Sequence, residues 1–278
     1  MSRKRILLIP DAHWPFGDYF CHEQILRIIQ VYQPEIVIVG GDWLDNYMGS
    51  DFSKDFRKLL LDQYVEKDVP FGAKISLEWE HSVAKDRLRE VDQAIASTKL
   101  KVRKVFMDGN HEERLYRQLS NMSNYSHMMD MDVLELEKYG WEHLEYRKTL
   151  KLGKLRTTHD LGNSGVLAAK QAVVETMCSY AIFHTHVLSM WWTGDADGNP
   201  HVGASFGWVG DYGAISYAAM EKARSRWQHA IGYGNVFIDE DGSFDIKPAP
   251  FFKDYKIIVG DHVFKSPKKS IIHKSGRK

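Results

Sequence analysis

Hydrophobic positions along this chain form short unbroken runs set between longer stretches of helical spacing. Ile6-Leu7-Leu8-Ile9-Pro10 is the first run, and its continuous apolar character predicts a strand buried on both faces. From Gln24 to Tyr32 the spacing is helical, with Ile25, Ile28, Ile29 and Tyr32 on one face. Residues 35–39 predict a second buried strand closed by Gly40-Gly41, and residues 102–107 a third ended by Asp108-Gly109. The stretch 52–97 reads as one or two long amphipathic helices broken near Pro70-Phe71-Gly72, with spaced acids and bases as solvated faces. Glu112 to Leu119 reads as a further helix, with two acids in the first turn as the macrodipole favours.

Later runs are shorter. Strands are expected over 155–158, 180–183, 203–206 and 235–238, the last joined through an Asp241-Gly242 turn to a partner at 243–246. Neither repeat nor low-complexity linker interrupts the pattern. One domain over 1–264 is therefore expected, with a helical insertion at 52–98 and an aromatic-rich capping segment at 187–228. A basic tail, 265–278, has little apolar content and is expected to be mobile.

Composition narrows the function classes. Of 278 residues, 44% are hydrophobic and 27% charged, as in ordinary globular proteins. Lys+Arg and Asp+Glu both number 37, so no global positive field advertises nucleic acid, although a local basic groove fits a neutral protein. Two cysteines, Cys21 and Cys178, are too few for a disulfide framework. No apolar run approaches the roughly 18 to 20 residues of a membrane span. The apolar stretch after Met-Ser-Arg-Lys-Arg is too short for a signal peptide. A cytoplasmic protein with no membrane partner is expected.

Five clusters carry candidate chemistry: Asp11 and His13; Asp42 with Asp45; Asn110 with His111; His159; and His184 with His186. Most follow a predicted strand directly. Oxygen and imidazole donors gathered at strand ends suggest a two-metal hydrolytic centre. Asp42 is placed to bridge two ions, Asp45 to orient an imidazole, and His111 to act as general acid beside the amide ligand Asn110. His184 and His186, one pleat apart on a strand, would face the same way. Each piece has a plainer reading: Asp-x-His is common, Gly-Asp is often a turn, a lone histidine at a strand end is often just hydrogen-bonded. The ordered set carries the weight.

That ordered set resembles the signature of the calcineurin-like metallophosphoesterases: Asp-x-His, Gly-Asp-x-x-Asp, Gly-Asn-His-Glu, a lone His, and His-x-His. Two positions depart from it. Phe183 stands where a glycine usually precedes the last motif, and Asp160 follows His159 where a glycine is usual, which brings an extra carboxylate near the metals. The resemblance implies an α/β fold, a four-layer αββα sandwich of mixed β-sheets flanked by helices. It also implies one metal site of Asp11, His13, Asp42 and His186, and a second of Asp42, Asn110, His159 and His184. His111 would then face the substrate with Asp45 as its partner. Mixed Asp/Asn/His ligation suits two divalent ions of Mn²⁺ as first choice, or Fe or Zn²⁺. Family members include DNA-repair exonucleases and bacteriophage phosphatases, and a homodimer is expected on family grounds only.

The substrate is less legible. Phosphoprotein phosphatases of this type continue the second motif as Asp-Arg-Gly, whereas Asn46 follows Asp45 here. Arg114 and Arg117 could grip phosphate or simply pair with acids on a solvated helix. Trp191 and Trp192 open an aromatic segment directly after the last motif; they would stack on a base or else belong to the core. The expectation is hydrolysis of a phosphodiester in nucleic acid or a nucleotide by a metal-bridging hydroxide. A broad-specificity phosphomonoesterase or protein phosphatase is the alternative.

Overall fold

The computed structural model describes residues 3–47, 77–121, 132–214, 226–238 and 241–266. Strands β1 (Arg3–Ile9), β2 (Ile36–Val39), β3 (Arg103–Met107) and β4 (Glu142–Leu144) pair in parallel. On the other side of β1, β10 (Ala230–Phe237) and β11 (Phe244–Pro250) add antiparallel, which completes a six-stranded sheet. The second sheet has five strands in the order β5 (Leu150–Leu152), β6 (Leu155–Thr158), β7 (Ser179–Ile182), β9 (Pro200–Phe206) and β8 (Leu188–Gly194). Its three central strands β6, β7 and β9 are parallel. A small hairpin, β12 (Ile257–Val259) with β13 (His262–Phe264), follows β11.

The unbroken run at the N-terminus explains the layering. Side chains alternate across a strand. Ile6 and Leu8 of β1 therefore join Ile36, Ile38, Val105 and Met107 in a core shared with Leu155, Ala181, Phe183, Ala204 and Phe206 of the second sheet. Leu7 and Ile9 turn the other way, toward helix α1 (Tyr19–Tyr32) and helix α2 (Leu77–Ser97). Helix α3 (Asn110–Asn121) leaves the end of β3, and α4 (Ala168–Thr176) lays Ala168, Ala169 and Ala172 on Tyr180 and Ile182 of the outer face. The order is helix, sheet, sheet, helix: the expected four-layer α/β sandwich.

Element boundaries differ from the pattern reading where a cap or a pairing decides them. Helix α1 starts five residues early because Asp18 Oδ1 accepts the backbone N–H groups of Phe20 and Cys21. Strand β10 starts at Ala230 because its first residues pair with β11, Ala230↔Pro250 and Ile231↔Ala249, before β1 joins at Gly232. The described part of the aromatic-rich segment 187–228 contains two strands, β8 and the expected β9. The expected break near Pro70-Phe71-Gly72 and the tail beyond Ser266 lie outside the described residues. No helix among the described residues is long and apolar enough to cross a membrane.

Phe183, at the end of β7, is fully buried between the sheets against Phe206. A side chain added at Gly40 would lie 2.5 Å from its ring, so the glycine and the phenyl ring occupy complementary volumes. Phe183→Ala should lower unfolding stability by about 3–5 kcal/mol, read as an earlier midpoint in urea with unchanged slope. A loss under about 1 kcal/mol would mean the ring is not a core element.

Candidate metal centre

Every expected ligand lies just beyond the C-terminal end of a parallel strand. Asp11 and His13 follow β1, Asp42 follows β2, Asn110 follows β3, His159 follows β6, and His184 and His186 follow β7. The two sheets bring these ends together. His13, Asp42, His184 and His186 all adopt left-handed backbone conformations, with φ of 56°, 47°, 65° and 59°. Such conformations are uncommon for side-chain-bearing residues and cluster at functional sites. At Gly109 an added side chain would fall 2.1 Å from Asp42 Oδ1, so only glycine lets the β3 turn approach that carboxylate.

The donor atoms form two groups that share Asp42. Asp11, His13, Asp42 and His186 lie within 4.8 Å of one another, as do Asp42, His159 and His184. In the first, His13 Nε2 and His186 Nε2 are 3.0 Å apart. Asp11 Oδ2 is 3.1 Å from His186 Nε2 yet makes no hydrogen bond. In the second, His159 Nε2 is 3.5 Å from Asp42 Oδ2 and 3.2 Å from Asn110 Oδ1, so Asn110 belongs there too. His184 Nδ1 is likewise buried without a partner. Unpartnered donors converging on common points are what a cation would satisfy. The residues fit a divalent metal.

Surrounding groups orient the ligands. His159 Nδ1 donates to the Gly40 carbonyl at 2.8 Å, which leaves Nε2 facing the cluster. Asp45 was expected to serve His111. Its carboxylate accepts most closely from His13 Nδ1, at 2.9 Å, and lies 3.3 Å from His111 Nδ1. The tighter partner of His111 Nδ1 is the Asp45 backbone carbonyl, at 2.6 Å. Asp45 therefore fixes both a ligand and the candidate acid. His184 and His186 were expected one pleat apart on a strand, facing together. They sit instead in a left-handed turn after β7, so one enters each donor group.

Electrostatics describe a site that demands positive charge. Burial would raise the Asp42 carboxyl, yet the charges of His111 and His159 hold it well below the usual range. Asp45 is also held well below it, where burial is overcome by hydrogen bonds from His111 and His13. Burial would lower His159, but Asp42 and Asp11 raise it to about 10. His111 is raised to about 9, with burial and Arg114 opposing Asp42 and Asp45. The field that holds a proton on His159 is the field a cation would occupy.

Glu112 is the functional residue that pattern reading missed. It was read as a first-turn acid of a helix. It is buried, and its carboxylate accepts the backbone N–H groups of Asp42, Leu44 and Gly109 at 3.0, 2.8 and 2.8 Å. One side chain thus ties the β2 turn to the β3 turn. Only its place within Gly-Asn-His-Glu hinted at this.

The remaining expected residues separate. Arg114 is half-buried and close enough to His111 for its charge to be felt there. Arg117 pairs with Glu113 at 3.1 Å on the exposed face of α3. Trp191 and Trp192 are on β8, which runs antiparallel to β9 and so leads away from the ligands. Trp191 lies under Lys170, and Trp192 lines a separate cavity of about 740 Å³ with Lys151 and Arg156. The aromatic segment does reach the site, through other residues. Trp208 stacks on His186 at 5.0 Å and Trp227 meets it edge-on at 4.4 Å. A further grouping away from these residues, Asp18, Cys21 and His229, is structural: Asp18 caps α1 and accepts from Tyr255, and His229 donates to Gly210.

The family model described as calcineurin-like phosphoesterase matches residues 4–259. No curated protein matches the chain.

Two outcomes follow for the metal-free protein. His159 and His111 carry raised affinities for protons, so their contribution to stability is complete below about pH 6.5 and is lost as pH rises toward 9–10. Thermal stability of chelator-treated protein should fall across that window, and added Mn²⁺ should stabilise more at pH 8.5 than at pH 6. A flat pH profile without metal would contradict the charge assignment. Glu112→Gln places an amide N–H against backbone N–H groups and should weaken metal binding about 10- to 100-fold by calorimetric titration. Unchanged affinity would reduce Glu112 to a bystander.

Proposed function

Because this chain belongs to the calcineurin-like phosphoesterase family, whose members are metal-dependent hydrolases, we propose that it cleaves a phosphodiester of a nucleotide or nucleic acid at a two-metal centre. The observation that supports this best is the sharing of Asp42 by two donor groups with His111 buried beside them. Divalent ions, Mn²⁺ as first choice, would bind Asp11, His13, Asp42 and His186 on one side and Asp42, Asn110, His159 and His184 on the other. When bound, such ions lower the pKa of water and neutralise charge on phosphate oxygens.

The chain's own residues supply the rest. His111 Nε2 is 3.9 Å from Asp42 Oδ2, and in the metal-free chain Asp42 and Asp45 overcome burial to raise its proton affinity. In its protonated form it stabilises the negative phosphate and delivers its proton to the leaving oxygen. Asp45 holds that imidazole from behind through its carbonyl and its carboxylate, so Nε2 faces outward. Trp208 and Trp227 close the His186 side to water.

Preference for a diester rests on what replaces a phosphate-gripping arginine after Asp45. Asn46 is buried and turned inward: its Nδ2 donates to the His111 carbonyl at 2.8 Å, and its Oδ1 lies 3.2 Å from His81 Nε2. A dianionic monoester loses a cationic partner at that position. Arg114 beside His111 favours the second reading, a phosphomonoesterase, because a guanidinium there offers a fork to a terminal phosphate.

Turnover of p-nitrophenyl mono- and bis-esters by Mn²⁺-loaded protein tests both readings. The bis-ester should be preferred, Asp42→Ala should abolish turnover, and His111→Ala should keep its metal while slowing kcat about 10²- to 10⁴-fold. A strong monoester preference would decide for the second reading. Loss of metal from His111→Ala would make that histidine a ligand.

A further inference from the structure

Asp160 departs from the family pattern and stands next to a metal-site histidine, yet it is not turned toward the metals. Its carboxylate is buried, and both oxygens are engaged elsewhere. Oδ1 accepts the Gly162 backbone N–H at 2.6 Å. Oδ2 accepts the Tyr146 hydroxyl at 2.9 Å and the Arg147 guanidinium at 3.2 Å. Tyr146 and Arg147 lie on the connection from β4 to β5, where the chain passes from one sheet to the other. Asp160 therefore fastens that connection to the end of β6.

Among the described residues, the fastened pair lies beside the less covered half of the donor set. Most ligands are buried, but Asn110 and His184 are only partly covered. The Tyr146 ring is 6.2 Å from that of His159, and Asp160 is close enough to His184 to feel its charge. Arg147 lies over the Tyr146 ring at 5.1 Å with its side chain 59% exposed. A guanidinium has five donors in a planar fork matched to phosphate, and Asp160 engages only one edge of it. With the ring beneath and the carboxylate beside it, the fork is held in place while its free donors face solvent.

We propose that Tyr146 and Arg147, clamped by Asp160, form a subsite beside His159 and His184 that binds a second phosphate of a nucleotide, next to the phosphate at the metals. Arg147 makes the contact; Tyr146 and Asp160 position it. The assignment rests on the nucleotide reading of the preceding section.

The test is calorimetric binding of thymidine 5′-monophosphate and thymidine 3′,5′-bisphosphate to the Mn²⁺-loaded full chain, with p-nitrophenyl ester turnover measured separately. The bisphosphate should bind at least about tenfold tighter, as one charge-assisted contact allows. Arg147→Ala should erase that difference while leaving monophosphate affinity and metal content within about twofold. Asp160→Asn should also shrink it, because the charge that holds the fork is gone, and Arg147→Lys should keep part of it. A preference that survives in Arg147→Ala, equal binding of both nucleotides to the unaltered chain, or metal loss in Arg147→Ala would each overturn the subsite alone. Failure of either nucleotide to bind while ester turnover persists would instead remove the nucleotide reading, and the subsite with it.

Discussion

Two carboxylates, Asp11 and Asp42, sit almost wholly out of water where the ends of the two sheets meet. A buried carboxylate without compensation is costly by several kcal/mol, and a second one nearby adds repulsion. Much of the surrounding structure answers that constraint. Imidazoles of His13, His159 and His186 approach the two charges, and the His111 backbone N–H donates to Asp42 Oδ1 at 2.9 Å. The side chains alone do not finish the task, since His13 Nε2 faces His186 Nε2 at 3.0 Å and His184 Nδ1 stays without a hydrogen bond. A divalent cation in each donor group would complete it.

Concentrating that charge requires backbone that would not form unaided. Left-handed conformations at four candidate ligands cost about 1–3 kcal/mol each, and they persist because neighbouring structure over-determines them. The Asp42 carbonyl accepts the N–H groups of Ala12 and His13 at 3.0 and 2.9 Å, and the Asp11 carbonyl accepts that of Val209 at 2.8 Å. Glu112 fastens the turns after β2 and β3 from beneath. These braces stand on strands buried on both faces, which is why a site made of turns can be rigid.

What could be read from the chain follows from how local each signal is. The strands behind Asp11, Asp42 and Asn110 were legible because a run such as Ile6 to Ile9 is buried on both faces and needs no knowledge of its partner. The donors were legible because their motifs are contiguous and fall at strand ends. Short strands such as β4 and β5 were not, since three residues carry no periodicity and take their conformation from pairing. Glu112 was invisible for a related reason: its partners lie 3, 68 and 70 residues away, and an acid at a helix start has an ordinary explanation already. Trp191 and Trp192 misled because nearness in sequence to His186 does not survive an antiparallel turn, whereas Trp208 returns to it through β9.

The two departures from the family pattern then have different physical meanings. Phe183 lies on the inward side of the last motif, where its ring fills the volume that Gly40 leaves free, so that change is absorbed by the core. Asp160 lies on the outward side of the fourth motif, where its charge is absorbed by Tyr146, Arg147 and the Gly162 backbone. The site is consequently lopsided: aromatic rings seal the His186 half, while polar groups border the His184 half. Among the described residues, Asn110 and His184 are the less covered members of the donor set. Placement of the candidate ligands is thus governed by strand ends inside the sandwich, whereas the border of the site is set by the connection between the sheets, so the two belong to separate parts of the chain.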